Sequence, residues 1–128
     1  MMSLKSESGA GRRILIVDDN CDAAELLAEL VRLSGHEVSV AFSGRTALQE
    51  ADVFHPDVVL LDIGMPGMNG YEVAAALRAR PEYAALRIIA LTAWGDAEAR
   101  ARTAASGFNL HLTKPAPLPA LLGALEAG

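Results

Sequence analysis

The sequence predicts one α/β domain, in which a parallel five-stranded sheet is covered by helices on both faces. Five short apolar runs alternate with five segments whose apolar residues recur at helical spacing. The connections between them are short, and no internal repeat or long linker divides the 128 residues. Because right-handed crossovers wind such a repeat into a parallel sheet, we expect a doubly wound arrangement.

The five strands are recognised by their apolar and β-branched residues. We predict them at residues 12–17, 38–42, 57–61, 86–91 and 108–112. The first ends in the run ILIV, and a continuous apolar run is typical of a strand buried on both faces. The three phenylalanines at 42, 54 and 108 are assigned to the core, whereas His36 and His55 are assigned to the surface.

The first two helices are marked by polar caps. Asn20 is a plausible N-cap, and Gly35 reads as the end of the first helix. The apolar residues of that helix that recur at helical spacing are Ala23, Leu26, Leu27, Leu30 and Val31. Ser43 caps the second helix, which carries apolar residues at 47, 48 and 51.

The last three helices have equally clear boundaries. The third spans 70–80 and ends before Pro81, because the residue before a proline disfavours helical geometry. The fourth spans 96–106, is rich in alanine and arginine, and stops at Gly107. The fifth has leucines at 118, 121, 122 and 125 along one face.

Composition limits the class of protein. A hydrophobic content of 52% is ample for a core, and the lone Cys21 excludes a disulfide scaffold and fits a reducing compartment. No apolar run approaches the length of a membrane span, and the polar start lacks the apolar core of a signal peptide, so we expect a cytoplasmic protein. The formal net charge of −5 argues against direct nucleic-acid binding. Residues 1–11 are expected to be a disordered segment or a cloning remnant, with the domain at 12–127.

Chemically active residues follow four of the predicted strands. Asp18 and Asp19 follow the first strand, and Asp62 follows the third. Thr92 follows the fourth strand and Lys114 the fifth. Because the carboxyl ends of parallel strands meet at one edge, we expect these side chains to converge on one shallow crevice.

Three carboxylates in one crevice require a compensating cation. Oxygen ligands without a histidine or cysteine cluster favour Mg²⁺, which often pairs carboxylates with phosphate oxygens. Lys114 and Thr92 supply a positive charge and a hydroxyl donor for such an oxyanion. Each residue also has an ordinary explanation: Asp18 and Asp19 suit a helix start, and Asp62 suits a turn. Their conjunction predicts a phosphoryl-transfer site with a carboxylate nucleophile.

With these residues in order, the chain resembles the receiver domain of two-component response regulators from about residue 13 to 125. The resemblance rests on Asp18-Asp19, on Asp62 followed by the loop MPGMNG, on Leu91-Thr92-Ala93 and on Lys114-Pro115. It implies a flavodoxin-like sheet with strand order 2-1-3-4-5. From residue 91 to 115 the sequence is most similar to receivers attached to hybrid histidine kinases.

The resemblance also implies a role for each residue. Asp62 would accept a phosphoryl group from the phosphohistidine of a sensor kinase or a histidine phosphotransfer domain. Asp19 would bind Mg²⁺ directly, Asp18 mainly through water, and Asp62 and the backbone carbonyl of Gly64 would complete the protein ligands. Lys114 would pair with Asp62 and then with the phosphoryl group.

A switch would follow from phosphorylation. Thr92 would move to bond a phosphoryl oxygen, and the residue at position 111 would rotate with it. His111 stands where this family usually has tyrosine or phenylalanine, and histidine titrates near neutral pH. Gly64 and Trp94 occupy positions that are often polar in the family and that influence hydrolysis of the aspartyl phosphate, so its lifetime is open. The protein would be an autocatalytic phosphoryl acceptor and a slow autophosphatase, with a downstream effector as its partner.

Three other functions use a similar layout. A haloacid-dehalogenase-like phosphatase places its nucleophile after the first strand with a second aspartate two residues on, but here Asn20 stands two residues after Asp18. A flavin carrier would need a phosphate-binding loop after the first strand, where Asp18 and Asp19 would repel phosphate. A nonphosphorylated binding module is the third. The sequence leaves open the kinase, the effector, dimerisation, and whether the domain belongs to a longer protein.

Overall fold

The computed structural model describes residues 11–127. Apart from Gly11, the segment predicted to be disordered or cloning-derived lies outside this range. The strands are β1 (Arg13–Val17), β2 (Glu37–Ala41), β3 (Val58–Leu61), β4 (Arg87–Thr92) and β5 (Leu110–Thr113). The helices are α1 (Cys21–Leu33), α2 (Gly44–Phe54), α3 (Gly70–Arg78), α4 (Ala97–Ala105) and α5 (Leu118–Glu126), with a short 3₁₀ turn at Pro81–Tyr83.

All five strands are parallel, in the order β2-β1-β3-β4-β5. This confirms the doubly wound sheet and the strand order. Buried residues of α1 and α5 pack with one face of the sheet, and buried residues of α2 and α3 pack with the other. Residues 14–17 of β1 and all of β3 are almost completely buried, as strands covered on both faces require. Across residues 11–127, no helix is long and apolar enough to cross a bilayer.

Two features of the predicted elements are wrong in detail. The fifth strand begins at Leu110 rather than at Phe108, because the N–H of Phe108 bonds to the Thr103 carbonyl and completes the end of α4. On α1, Leu26 is 65% exposed, and the buried face is formed by Ala24, Ala28 and Val31. Small alanines allow this helix to pack closely on the sheet, so the larger leucine lies outside the contact.

Phe42 and His36 also depart from prediction. Phe42 is exposed because it follows the end of β2, an edge strand with no neighbour on one side. His36 is buried, with its ring Nδ1 accepting the Arg12 N–H at 3.2 Å. Its Nε2 lies 3.1 Å from a carboxylate oxygen of Glu126 at the end of α5. His36 therefore joins the start of β1 to the last helix.

Replacing His36 with alanine should lower the free energy of unfolding by roughly 2 kcal/mol, the usual cost of a buried cavity plus a lost hydrogen-bond pair. Equilibrium urea unfolding, followed by Trp94 fluorescence, measures this change. His55→Ala is the histidine control, because His55 is exposed, although its positive φ of 55° makes a smaller loss expected there. Equal losses for both variants would contradict the structural role of His36.

Candidate functional site

The predicted site residues occupy consecutive strand ends, and the sheet hydrogen bonds continue into them. The N–H of Asp18 bonds to the Ala41 carbonyl at 3.1 Å, and the N–H of Asp62 bonds to the Val17 carbonyl at 2.9 Å. At the other side of the site, the N–H of Lys114 bonds to the Thr92 carbonyl at 2.7 Å. The backbone of each of these residues is therefore fixed by its neighbour strand.

The loop after Asp62 is shaped to keep the carboxylate at the sheet edge. Gly70 begins α3 directly against this loop, where an added Cβ would lie 2.7 Å from the Asp62 carbonyl oxygen. The helix start is fixed by a capping box, in which Asn69 and Glu72 each accept a hydrogen bond from the other's N–H. Only glycine fits at this close approach, so the MPGMNG sequence has a structural explanation.

The three acidic residues meet as predicted. One ligand oxygen from each of Asp18, Asp19 and Asp62 can be chosen such that all lie within 4.8 Å of one another. Asp18 is buried and Asp19 is exposed, while the Asp62 side chain is 14% exposed. Hard oxygen donors at this spacing fit a hydrated Mg²⁺ ion, and neither histidine nor cysteine belongs to the group.

Lys114 lies between two of these carboxylates. Its Nζ is 3.0 Å from Asp18 Oδ2 and 3.9 Å from Asp62 Oδ2. Asp18 also accepts the N–H of Asn20 at 3.0 Å on its other oxygen. Asp18 is thus the better-satisfied carboxylate, and the ammonium is held mainly there.

The pKa of the Asp62 carboxyl is raised above its usual value, chiefly because burial disfavours the charged form. The Lys114 ammonium opposes this rise, the charges of Asp18 and Asp19 add to it, and the Gly64 N–H lowers the pKa. That N–H lies 3.4 Å from Asp62 Oδ1. The ionised carboxylate is consequently a poorly solvated oxygen pair.

A pKa that is raised on folding means that the folded protein holds the Asp62 proton more tightly than the unfolded chain does. The ionised form therefore costs stability above this pKa, and the cost disappears as the pH falls through it. At pH 7, Asp62→Asn should raise Tm by roughly 3–6 °C, the shift that about 1 kcal/mol gives in a domain of this size. Differential scanning fluorimetry across pH checks this, with exposed Asp22→Asn as control. A variant that melts at or below the wild-type temperature contradicts it.

The two predicted switch residues are connected through the backbone of Trp94. The Trp94 N–H donates to Thr92 Oγ1 at 3.2 Å, and Thr92 itself is buried. The Trp94 carbonyl accepts from His111 Nε2 at 2.7 Å, and His111 Nδ1 lies 3.0 Å from Thr103 Oγ1. A displacement of Thr92 would thus be transmitted to His111 through the backbone of one residue, Trp94.

The Trp94 indole lies beside Gly64, in the loop that follows Asp62. This side chain is 51% exposed, and a Cβ at Gly64 would lie 3.3 Å from its Cζ2 atom. A larger residue at 64 would displace the ring. Gly64 and Trp94, the two positions that the resemblance links to hydrolysis of the aspartyl phosphate, are therefore direct neighbours.

One contributor was missed by sequence reasoning. Arg100 lies on the alanine- and arginine-rich fourth helix and is exposed, but its guanidinium reaches back to the β4–α4 connection and to β5. An arginine in an alanine-rich helix carries no pattern that distinguishes such contacts from solvation. The only indication in the sequence was a positive charge placed shortly after a strand that ends at the acidic edge of the sheet.

Comparison with known proteins agrees with this geometry. Residues 14–126 match the family described as the response regulator receiver domain. The transcriptional regulatory protein PrrA of Mycobacterium leprae is 36% identical over 115 residues, which are 90% of this chain and 48% of that protein. The chain thus spans about half the length of PrrA.

Solved structures share the fold over nearly their whole length. The chemotaxis protein CheY4 of Vibrio cholerae matches with a TM-score of 0.86 and 32% identity, covering 91% of this chain and 98% of that one. The receiver domain of a sensor histidine kinase from Pseudomonas aeruginosa, which holds a magnesium ion in its active-site cleft, matches with a TM-score of 0.82 and 30% identity, covering 91% and 96%. This chain therefore belongs to the response regulator receiver domain family of two-component signalling.

Proposed function

We propose that residues 12–127 form a phosphorylation-controlled switch that accepts a phosphoryl group from a phosphohistidine onto Asp62. The observation that carries this is the convergence of three carboxylates and the Lys114 ammonium at one sheet edge. The donor would be a sensor histidine kinase or a histidine phosphotransfer domain in the cytoplasm. The output is a changed surface that a downstream effector protein or domain recognises.

The proposed metal site consists of Asp18, Asp19, Asp62 and the carbonyl of Gly64. Mg²⁺ would neutralise charge on the phosphoryl oxygens during transfer. The backbones of Asp18 and Asp62 are held in place by hydrogen bonds to the neighbouring strands. Asp19 is exposed, so its carboxylate can approach the ion from solvent. Lys114 would leave Asp18 for the Asp62 side, where its charge is needed.

Chemistry at Asp62 proceeds by attack of one carboxylate oxygen on phosphorus, and the bond from phosphorus to the donor nitrogen breaks. Lys114 and the Thr92 hydroxyl would each bond a phosphoryl oxygen, so charge is stabilised from two sides. Thr92 would pull the Trp94 peptide with it, and the bond between Trp94 and His111 transmits the movement to β5. The partner would recognise this altered edge.

Metal binding is tested by titrating Mg²⁺ while following Trp94 emission, because the indole lies over Gly64. We expect a saturable change that Asp19→Asn weakens at least tenfold, since a charged ligand is lost. Asp22→Asn removes an equal charge from the first turn of α1 and should leave the titration unchanged. A wild-type protein without any Mg²⁺ response would contradict the proposed site.

The donor is proposed to dock on α1. Leu26 and Leu33 on this helix are 65% and 78% exposed, and Leu30 between them is half-buried, which gives an apolar stripe at helical spacing. The helix begins at Cys21, directly after the acidic pair, so a helical partner lying along it would bring its histidine to the site. Exposed apolar stripes of this kind mark interaction surfaces.

Leu26→Glu should slow phosphoryl transfer from a phosphorylated histidine kinase or phosphotransfer protein at least tenfold, because a charge is introduced into an apolar contact. Transfer from acetyl phosphate, which needs no docking surface, should be unchanged. Val53→Glu, at a 76% exposed position on α2 across the sheet, is the matched control. Equal slowing with both donors would show damage to the site rather than to docking.

A further inference from the structure

A network of hydrogen bonds from one arginine fastens the β4–α4 connection to β5. We call residues 93–96 the switch loop. Arg100 Nε donates to the carbonyl of Gly95 in this loop at 3.1 Å, and Nη2 donates to Thr113 Oγ1 at 3.1 Å. A longer contact of 3.5 Å joins Nη1 to the His111 carbonyl. One planar guanidinium thus spans the loop and the strand that precedes Lys114.

The loop and the strand are also in close steric contact. A Cβ added to Gly95 would lie 2.6 Å from Thr113 Oγ1, so the loop approaches β5 as closely as glycine allows. The same loop contains Trp94, whose N–H bonds to Thr92 Oγ1. Arg100 therefore holds together the two segments that carry Thr92 and Lys114.

In this arrangement the Lys114 ammonium forms its shorter ion pair with Asp18. The ammonium is 3.0 Å from Asp18 and 3.9 Å from Asp62, whereas a phosphoryl group on Asp62 would draw it to that carboxylate. Thr92, which accepts the Trp94 N–H at 3.2 Å, would likewise move towards the phosphoryl group and draw the switch loop with it. The hydrogen bonds of Arg100 stabilise the starting position of that movement.

We propose that Arg100 is a positioning residue that holds the switch loop in its unphosphorylated arrangement and opposes the movement of Thr92. The proposal rests on the proposed function of Asp62 as phosphoryl acceptor. By linkage, interactions that favour one arrangement must weaken any ligand that requires the other. Arg100 is exposed, so its loss should alter this balance while the fold remains intact.

The test uses beryllofluoride with Mg²⁺ as a phosphoryl analogue and Trp94 emission as the signal. Arg100→Gln should bind beryllofluoride about fivefold more tightly than wild type, a change equivalent to about 1 kcal/mol. Amide exchange of residues 93–96 without the analogue should become faster in the same variant. Arg102→Gln is the control, because that guanidinium instead lies 4.1 Å over the Tyr71 ring.

A second variant identifies the path of the effect. Thr113→Val removes the acceptor of Nη2 and should tighten beryllofluoride binding less than Arg100→Gln does. The double variant should bind no more tightly than Arg100→Gln alone, because both changes release the same contact. Arg100→Lys, which keeps the charge and reaches only one acceptor, should lie between wild type and Arg100→Gln.

The outcomes separate the two proposals. A wild-type protein that responds to beryllofluoride, together with an Arg100→Gln variant of equal or weaker affinity, would overturn the inference and leave the proposed function standing. Full additivity of Arg100→Gln and Thr113→Val would also overturn it. A wild-type protein that ignores beryllofluoride would overturn the proposed function and this inference together.

Discussion

Replacing Arg78 with methionine should lower the free energy of unfolding by about 3 kcal/mol, since several charge-assisted hydrogen bonds are lost at once. Arg78 donates to the carbonyls of Gly107 at 2.9 Å, Tyr83 at 3.1 Å and Leu86 at 2.7 Å. Its last donor group reaches Asn109 Oδ1 at 2.8 Å. This one side chain joins the end of α3 to the segments before β4 and β5.

The charge of Arg78 is held by carbonyl dipoles rather than by a carboxylate. Partial burial lowers its pKa, because the charged form loses hydration, yet an arginine remains protonated at neutral pH. Methionine preserves much of the packing of the side-chain stem, so the measured loss reports on the hydrogen bonds. The carbonyls left behind are partly buried and would lack this partner.

Urea unfolding of Arg78→Met, followed by circular dichroism, measures this loss. Arg80→Met is the matched control, because Arg80 forms an ion pair with the exposed Asp52 near the same helix end. Such a pair contributes about 0–1 kcal/mol. If the two methionine variants lose equal stability, Arg78 does not have the role assigned to it.

Lys114→Met should slow phosphorylation of Asp62 by acetyl phosphate about 100-fold or more at saturating Mg²⁺. That factor is typical for losing one preorganised donor to a developing oxyanion. Because the ammonium lies 3.0 Å from Asp18, it also competes with a metal ion for that carboxylate. The same variant should therefore bind Mg²⁺ more tightly while reacting more slowly.

Two readouts, Mg²⁺ titration by Trp94 emission and phosphorylation rate by intact mass, separate these effects. Arg45→Gln removes one positive charge from an exposed position on α2 and should change neither readout. Lys114→Arg should recover part of the rate, since charge is kept but geometry differs. If Lys114→Met is phosphorylated at a rate within twofold of wild type, Lys114 has no role in the phosphoryl transfer.

The fold was predictable because the apolar runs, the helix-capping residues and the short connections all indicate the same α/β arrangement. The run ILIV of β1 indicates a strand buried on both faces, and Asn20 and Ser43 cap α1 and α2 as predicted. The meeting of Asp18 and Asp62 follows from parallel topology alone, because Val17 and Leu61 are register partners. Such features depend on local pattern and on sheet geometry.

What could not be predicted depends on long-range side-chain geometry. The burial of His36 depends on Arg12 and on Glu126, which is 90 residues away along the chain. Arg78 and Arg100 look like ordinary helical arginines, and only the packed structure brings carbonyls within their reach. The exposure of Leu26 likewise depends on how closely the alanines of α1 approach the sheet.

Phosphoryl transfer to Asp62 is tested most directly by intact mass spectrometry after incubation with acetyl phosphate, with and without Mg²⁺. Wild type, Asp62→Asn and the control Asp57→Asn are compared, since Asp57 is an exposed aspartate at the opposite end of β3. We expect one phosphoryl adduct on wild type and on Asp57→Asn, formed only with Mg²⁺, and none on Asp62→Asn. An adduct that survives Asp62→Asn, or wild-type protein that stays unmodified with Mg²⁺, would contradict Asp62 as the phosphoryl acceptor.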